Sequence, residues 1–313
     1  MKTHILSIII ALFVSLQVSA QEATDQPSQT LVYSFFINSA PDGCNLPLVG
    51  FINMGRGSHQ SVHIGFINTV RRDLTGSQLG FVNLAGGSVN GSQIGFVNTT
   101  LQRFTGVQAG FVNTSIQSTH AAQVGFINTC PDSLSGAQVG FVNTVAHKAD
   151  AIQVGFVNAA KTLKGSQVGF VNVVDSLERG VPIGFLSIVR KGGYHAVELS
   201  VTEMHPVNLA YKIGVSRLYT SLSVSYNPAN EESLAFGAGF GTILPMGNKL
   251  YFNPELVSQT LFFDEFQQLS TFTPKFGYQF NQHLSVLAGP SVVWQYGDHD
   301  KPLVDPLFSF SKT

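Results

Sequence analysis

The sequence predicts an all-β protein, formed by a β-solenoid of about ten 15-residue coils and then a small antiparallel β-barrel of the transmembrane type. Two observations lead to this prediction. Near-copies of SQVGFVN recur every fifteen residues through the first two thirds of the chain, and beyond about residue 191 longer runs of alternating apolar and polar residues replace that period. The first pattern is typical of stacked repeats, and the second is typical of antiparallel strands.

Phenylalanine marks the repeat, which we assign to residues 32–190. An FFIN segment places Phe36 fifteen residues before the first regular copy, and IGFLS places Phe185 fifteen residues after the last. Both are degenerate copies, as expected where terminal repeats cap an open stack. The regular copies, with one interval of fourteen before the last, carry Phe51, Phe66, Phe81, Phe96, Phe111, Phe126, Phe141, Phe156 and Phe170.

Each copy shows the alternation of a β-strand. In QIGFVN at residues 93–98, alternation places Gln, Gly and Val on one face and Ile, Phe and Asn on the other. The Phe column is therefore expected to fill the core. The Val/Ile column on the Gln face is expected to pack against a second sheet of the coil, a partner or lipid.

Strict identity at a fixed spacing favours parallel stacking, because equivalent side chains then lie about 4.8 Å apart and form ladders. We expect the Asn and Gln columns to hydrogen-bond amide to amide, and the Gly before each Phe to allow close backbone approach or a bend. The Asn column comprises Asn53, Asn68, Asn83, Asn98, Asn113, Asn128, Asn143, Asn158 and Asn172, and the Gln column comprises Gln78, Gln93, Gln108, Gln123, Gln138, Gln153 and Gln167. In the alternative, successive copies run antiparallel, and the repeats and the C-terminal strands close one large β-barrel.

The second half of each copy carries a weaker apolar signal. Leu74, Phe104, Leu134 and Leu163 each stand two residues before a Gly, which predicts a second core-facing strand and a turn. Stacking also separates Cys44 from Cys130 by about 25 Å. A disulfide needs Cα atoms within about 7 Å, so both thiols are predicted to be unpaired.

The segments GSQLGFVN, GSQIGFVN, GVQAGFVN, GAQVGFVN and GSQVGFVN carry a family resemblance. The pattern resembles bacterial cell-surface repeat proteins that carry tandem GxQxGxxN copies behind a signal peptide. The resemblance covers residues 36–187, and Phe stands here at a position where that family has a smaller aliphatic residue. It implies a location in the cell envelope.

Residues 191–313 alternate over longer segments. Val197 and Leu199 oppose Glu198 and Ser200, for example, and similar segments give seven or eight strands with turns at NPANEES, PMGN and QFNQH. One apolar face and one small or polar face predict a narrow outer-membrane barrel with a filled lumen. A soluble antiparallel sandwich, with the apolar face turned inward, is the alternative. The chain end, LFSFSKT, lacks the terminal aromatic residue common in such barrels.

The N-terminus predicts export. A short basic start, an apolar run from Ile5 to Val18 and a small-residue site ending at Ala20 predict a signal peptide over residues 1–20, followed by a flexible start over residues 21–31. The expected location is the outer membrane or cell envelope of a Gram-negative bacterium. With 17 basic and 18 acidic residues, the chain lacks the positive field that nucleic-acid binding requires.

No pattern in the sequence points to catalysis, a cofactor or a metal. There is no GxSxG, the nine His residues are expected to be structural or solvated, and the Asp298-His299-Asp300 turn is a poor cation site. The sequence therefore predicts a non-enzymatic scaffold or adhesin-like surface that contacts outer-membrane lipid and a possible glycan or envelope-protein ligand. The alternative function is an outer-membrane pore or transport protein.

Overall fold

The computed structural model describes residues 31–227, 234–263 and 265–296. The signal peptide, nearly all of the flexible start, most of the NPANEES turn, the Asp298-His299-Asp300 turn and the chain end LFSFSKT lie outside these ranges. Every regular element within them is a β-strand. In the same ranges, no helix has the length and apolar character needed to cross a membrane.

The repeats form a parallel β-solenoid of about ten coils. Its strands are β1 (Ile37–Ala40), β2 (Leu48–Val49), β3 (Ile52–Gly55), β4 (Val62–Ile64), β5 (Ile67–Val70), β6 (Leu74–Leu79), β7 (Val82–Ala85), β8 (Val89–Ile94), β9 (Val97–Thr100), β10 (Phe104–Ser115), β11 (Thr119–Cys130), β12 (Leu134–Val139), β13 (Val142–Leu163), β14 (Ser166–Leu177) and β15 (Pro182–Lys191).

The strand register follows the repeat. β5 pairs with β7 in parallel with Asn68 opposite Asn83, and the same fifteen-residue offset continues along the solenoid. At the single fourteen-residue interval Asn158 still faces Asn172, so the deletion does not break the column. Parallel pairing of successive copies confirms the solenoid. The single large barrel, which requires antiparallel copies, is wrong.

Each coil turns a corner at the Gly-Phe pair. Gln93 and Asn98 are five positions apart, so an uninterrupted strand would place them on opposite faces, yet both are fully buried. A Cβ on Gly95 would lie 2.0 Å from the carbonyl oxygen of Gly80 in the preceding coil, so only Gly fits at the corner.

The corner overturns two expectations about side-chain faces. Phe96 lies on the outside of the solenoid, 45% exposed, and the Phe column does not fill the core. Val97 does not share the face of Gln93 either. It lies between the corner and the buried Asn98, points outward and is half-buried. Phe96 stays on the outside with Ile94, and alternation is interrupted at this corner, so that Asn98 and Thr100 point inward.

The apolar core lies between the two amide columns and the second strand of each coil. Leu74 and Phe104 belong to one buried cluster, and Leu134 and Leu163 belong to another. The predicted second core-facing strand is therefore confirmed. Cys44 and Cys130 are both free thiols, as predicted, and Cys130 is buried in the core.

The C-terminal region forms a nine-stranded antiparallel sheet, curled as a half-barrel, which we call the curled sheet. The main path runs from β16 to β23, with β20 paired to β21 and β24 paired to β22. No pairing among the described residues joins β16 to β23 or β24, so closure into a full barrel is not observed there. Its strands are β16 (Tyr194–Ser200), β17 (Val207–Val215), β18 (Leu218–Tyr226), β19 (Leu234–Gly241), β20 (Leu244–Pro245), β21 (Leu250–Phe263), β22 (Glu265–Gln279), β23 (Ser285–Ala288) and β24 (Val292–Tyr296).

The start of the curled sheet closes the last coil of the solenoid. Val215 packs in the same buried cluster as Val174 and Val189. Thr220 Oγ1 donates a hydrogen bond to the Phe185 carbonyl oxygen, and His195 Nε2 lies 2.6 Å from the Val189 carbonyl oxygen. The sheet thus covers the end of the stack that would otherwise expose its apolar core.

Candidate functional site

The curled sheet is inverted relative to a soluble sheet. Val197 and Leu199 on β16 are 71% and 75% exposed, and Val201, directly after the strand, is 79% exposed. On β18 Leu222, Val224 and Tyr226 are exposed, whereas Ser221 and Ser225 are fully buried. A soluble sandwich turns its apolar face inward, so this sheet has the opposite polarity. An apolar exterior around a polar interior is the pattern of a membrane-facing strand array.

A compact charge network fills the concave side of this sheet. Lys212 Nζ lies 2.5 Å from a Glu198 carboxylate oxygen and 2.7 Å from Glu255 Oε2. Lys275 Nζ lies 2.5 Å from the other Glu198 oxygen and 3.0 Å from Glu255 Oε2. Two positive and two negative side chains thus compensate one another where solvent is largely excluded.

Neutral hydrogen bonds extend the network. Asn253 Nδ2 donates to Tyr219 Oη at 2.6 Å, and Tyr219 Oη donates to Glu255 Oε2 at 3.1 Å. The network joins β16, β17, β18, β21 and β22, so it fixes the curl of the sheet. All of these polar groups are partnered, which favours a structural role over an open reactive site.

Sequence reasoning placed Glu198 on the polar face but did not pair it with Lys275. They stand 77 positions apart in the chain, and only the strand order brings them together. The available signal was the presence of full charges on a face otherwise made of Ser, Thr and Gly, because a buried charge requires a partner of opposite sign.

The Asn column forms a continuous ladder inside the solenoid. Asn53 Nδ2 donates to Asn68 Oδ1 at 2.7 Å and to the Ile64 carbonyl oxygen at 2.9 Å, and the same pair of bonds recurs coil after coil. At the far end, Asn172 Nδ2 donates to Ser187 Oγ at 3.3 Å. The degenerate last copy therefore supplies a polar cap for the ladder.

The Gln column forms a second ladder that runs in the opposite direction. Gln93 Nε2 donates to Gln78 Oε1 in the preceding coil at 2.7 Å, whereas each Asn donates to the following coil. The ladder ends at Gln167, whose Oε1 has no partner because Pro182 stands in the next coil without a donor. The opposed amide dipoles of the two columns offset one another along the solenoid axis.

The Phe column forms a third ladder, on the outer surface. From Phe51 to Phe185 the rings stack with centroids 4.9–5.0 Å apart and interplanar angles of 0–7°. Between 39% and 52% of each of these side chains is exposed. Such a long exposed aromatic row identifies a candidate interaction surface.

Two histidines occupy interior columns of the first coils. His59 takes a core-column position and His63 a Gln-column position, and their rings lie 5.3 Å apart, edge to face. Neither ring has a hydrogen-bond partner, and burial lowers the pKa of His63 to about 4, with a smaller effect from the neighbouring His59. His59 was expected to be structural or solvated. It is buried, and burial lowers its pKa as well.

The structure shows no grouping suited to a metal ion. Within residues 31–227, 234–263 and 265–296, three or more His, Cys, Asp or Glu side chains do not converge at any point. The candidate features are therefore surfaces: the outer face of the curled sheet and the Phe ladder.

Comparison with known proteins returned no match to a protein family, a curated protein or a solved structure.

Proposed function

We propose that this chain is a non-enzymatic cell-envelope protein, anchored by its curled sheet in the outer membrane of a Gram-negative bacterium. The observation that carries the proposal is the outward-facing apolar side of that sheet. In water such a face would be strongly unfavourable, because burial of apolar surface contributes about 25 cal/mol per Å². Lipid provides the apolar surroundings that this face lacks.

Strand length and polarity support the same proposal. Strands of about 9–11 residues cross a bilayer when tilted. β17 and β18 have nine residues each, and β21 and β22 have fourteen and fifteen. The polar network lies on the concave side, where lipid-facing strands turn their alternate residues.

The solenoid is proposed to act as a scaffold or adhesin-like surface. The identical buried residues of successive coils maintain the stack of the solenoid. Its outer columns form a regular lattice, in which Thr residues such as Thr99 and Thr114 lie half-buried beside the Asn ladder. The partners we propose are outer-membrane lipid and a glycan or envelope-protein ligand, and not nucleic acid. The predicted signal peptide and the resemblance to cell-surface repeat proteins agree with this location.

A single charged substitution on the outer face tests the anchor. Leu222 lies in the middle of β18 on the exposed apolar side. Leu222→Arg is expected to reduce the outer-membrane fraction of the exported full chain, because Arg at bilayer depth costs about 2–4 kcal/mol. Fractionation and heat-modifiable gel mobility measure the result.

Leu101→Arg is the matched control. Leu101 is similarly exposed but lies in a polar connection of the solenoid, so its substitution is expected to leave membrane recovery unchanged. If wild-type protein is recovered in the soluble envelope fraction, or if both variants behave alike, the anchoring proposal is wrong.

A further inference from the structure

The Phe ladder continues onto the outer face of the curled sheet. The last ring, Phe185, lies edge to face with Phe240 of β19, with centroids 6.5 Å apart. Phe240 is 43% exposed on the apolar side of the sheet. The two exposed apolar surfaces are therefore one continuous surface.

The ladder is the centre of a wider band, which we call the apolar stripe. Two residues before each Phe, on the other side of the Gly corner, the solenoid carries a second exposed column. The stripe consists of the Phe ladder and this column, whose large members are Val49, Ile64, Leu79, Ile94, Val124, Val139, Val154, Val168 and Ile183. With rings of about 200 Å², the Phe ladder alone exposes roughly 900 Å², more than the largest patch on a typical soluble monomer.

Charge is excluded from the stripe over its whole length. No Asp, Glu, Lys or Arg occurs within four residues of any of the eleven Phe positions from Phe36 to Phe185. The charged residues of the solenoid lie at least five positions from these rings, as at Arg103 in a connection and Lys161 in β13. The solenoid is thus amphipathic around its axis.

The backbone along the stripe is already hydrogen-bonded. At one corner Gly95 N donates to the Ala109 carbonyl oxygen, and Phe96 N and Val97 N both donate to the Phe81 carbonyl oxygen. The same pattern recurs at the corner of Phe81. A surface in contact with hydrocarbon requires hydrogen-bonded backbone amides, because an unsatisfied amide there costs several kcal/mol.

From these observations we infer that the apolar stripe is a lipid-contact face, occupied by the acyl chains of the bilayer that holds the curled sheet. The inference rests on the proposed membrane anchor, with which the stripe is continuous. A protein interface carries about one hydrogen bond per 100–200 Å² and a polar rim. The stripe repeats only Gly, Phe and aliphatic residues, which fits a featureless hydrocarbon partner. The solenoid accordingly lies along the membrane and turns its charged connections toward water.

Tryptophan fluorescence separates this inference from the anchor itself. Trp294 is the one Trp of the chain and lies exposed on β24 of the curled sheet. We would reconstitute the full chain into phosphatidylethanolamine and phosphatidylglycerol vesicles, with or without bromine on the acyl chains. Quenching of wild-type Trp294 by the brominated lipids reports the anchor.

The stripe is read in a Trp294→Phe background, with Phe96→Trp as the probe and Leu101→Trp as the matched control in the polar connection of the same repeat. Brominated lipid is expected to quench Phe96→Trp to an extent similar to wild-type Trp294, and at least about twice as strongly as Leu101→Trp. Phe126→Trp, in another coil, serves if Phe96→Trp fails to fold.

Each outcome decides a different statement. Quenching of Trp294 with no more quenching of Phe96→Trp than of Leu101→Trp overturns the lipid-contact face and leaves the anchor intact. Absence of Trp294 quenching overturns the anchor. Unquenched, blue-shifted Phe96→Trp emission together with a chemically crosslinked dimer assigns the stripe to a second copy of the chain and also overturns the inference.

Discussion

Phe96 and Phe104 stand eight residues apart and lie on opposite sides of the solenoid wall. Phe96 is 45% exposed in the outer ladder, whereas Phe104 is fully buried among core residues that include Leu74 and Val89. Phe104→Ala is therefore expected to lower the free energy of unfolding by about 3–5 kcal/mol, because it leaves a cavity. Phe96→Ala is expected to cost only about 1 kcal/mol from lost ring stacking. Urea unfolding of the full chain in detergent micelles measures both.

The pair provides its own control, since residue type and truncation are the same. Equal losses for the two variants would contradict the exterior position of the Phe ladder.

The Asn ladder is expected to be sensitive to a single break. Asn98→Ala removes the acceptor for Asn83 Nδ2 and the donor for Asn113 Oδ1, both of which stay buried. An unsatisfied buried polar group costs about 1–3 kcal/mol, so we expect a loss of about 2–4 kcal/mol in unfolding free energy. Asn90→Ala, on an exposed position of the neighbouring strand, is expected to change it by less than about 0.5 kcal/mol. A loss for Asn90→Ala as large as that for Asn98→Ala would show that the ladder stabilises the fold no more than an exposed Asn does.

The corner glycines are expected to tolerate no side chain. A Cβ at Gly95 would lie 2.0 Å from the Gly80 carbonyl oxygen and 2.6 Å from Asn83 Nδ2. Gly95→Ala should therefore separate adjacent coils and cost about 3 kcal/mol, the upper end of what overpacking typically costs. Gly247→Ala, where a Cβ meets nothing within 4 Å, should be close to neutral. Thermal melts followed by circular dichroism compare them, and a wild-type melting temperature for Gly95→Ala would refute the close approach.

The charge network of the curled sheet is expected to depend on each of its members. Lys212→Met leaves Glu198 and Glu255 with Lys275 as their remaining cation, and breaking a buried pair costs about 3–5 kcal/mol. Lys164→Met breaks a partly exposed pair elsewhere and is expected to cost less than about 1 kcal/mol. Heat-modifiable gel mobility and denaturant unfolding report the difference. Comparable losses would show that the network is not integral to the sheet.

The stacking of the solenoid could be predicted from the identical residues at a fixed spacing. Such identity has a physical explanation only when each residue contacts its equivalent in the next coil. The ladders of Asn98 and Gln93 and the buried Leu134 follow from that statement. The same reasoning was wrong about Phe96, because it placed Phe96 and Asn98 on one face and could not detect the corner that turns Asn98 inward while Phe96 stays outside. The Gly before each Phe was recognised as a place for a bend, but the change of face that a bend causes was not carried through to Val97 and Asn98.

The curled sheet shows a different limit. Alternation identified its two faces, but period-two patterns are the same whether the apolar side points inward or outward. The pairing of Glu198 with Lys275 depends on the order of strands in space, and the burial of His59 depends on which column of the coil it enters. These are properties of the three-dimensional register, which no local window of sequence contains.

The paired histidines are expected to make the N-terminal coils sensitive to acid. In the folded chain the pKa of His63 is about 4, below the ordinary value of 6.5, chiefly because burial disfavours the charged ring. Burial also lowers the pKa of His59, against the opposing influence of the Ala40 and Pro41 carbonyl groups and the Asp42 carboxylate. Above pH 6.5 both rings are neutral whether the chain is folded or unfolded, so their contribution to stability is complete.

As the pH falls from 6.5 toward 4, His63 binds a proton in the unfolded chain but stays largely neutral in the folded chain. The free energy of unfolding therefore decreases. We expect a loss of about 2–3 kcal/mol between about pH 7.5 and about pH 4.5 from His63 alone. His63→Gln removes this titration and places a Gln beside Gln78 to continue the ladder, so its stability should vary much less with pH. His120→Gln, at an exposed position, should retain the wild-type dependence. Hydrogen exchange over residues 50–70 and urea unfolding measure the effect, and identical pH profiles for His63→Gln and wild type would contradict it.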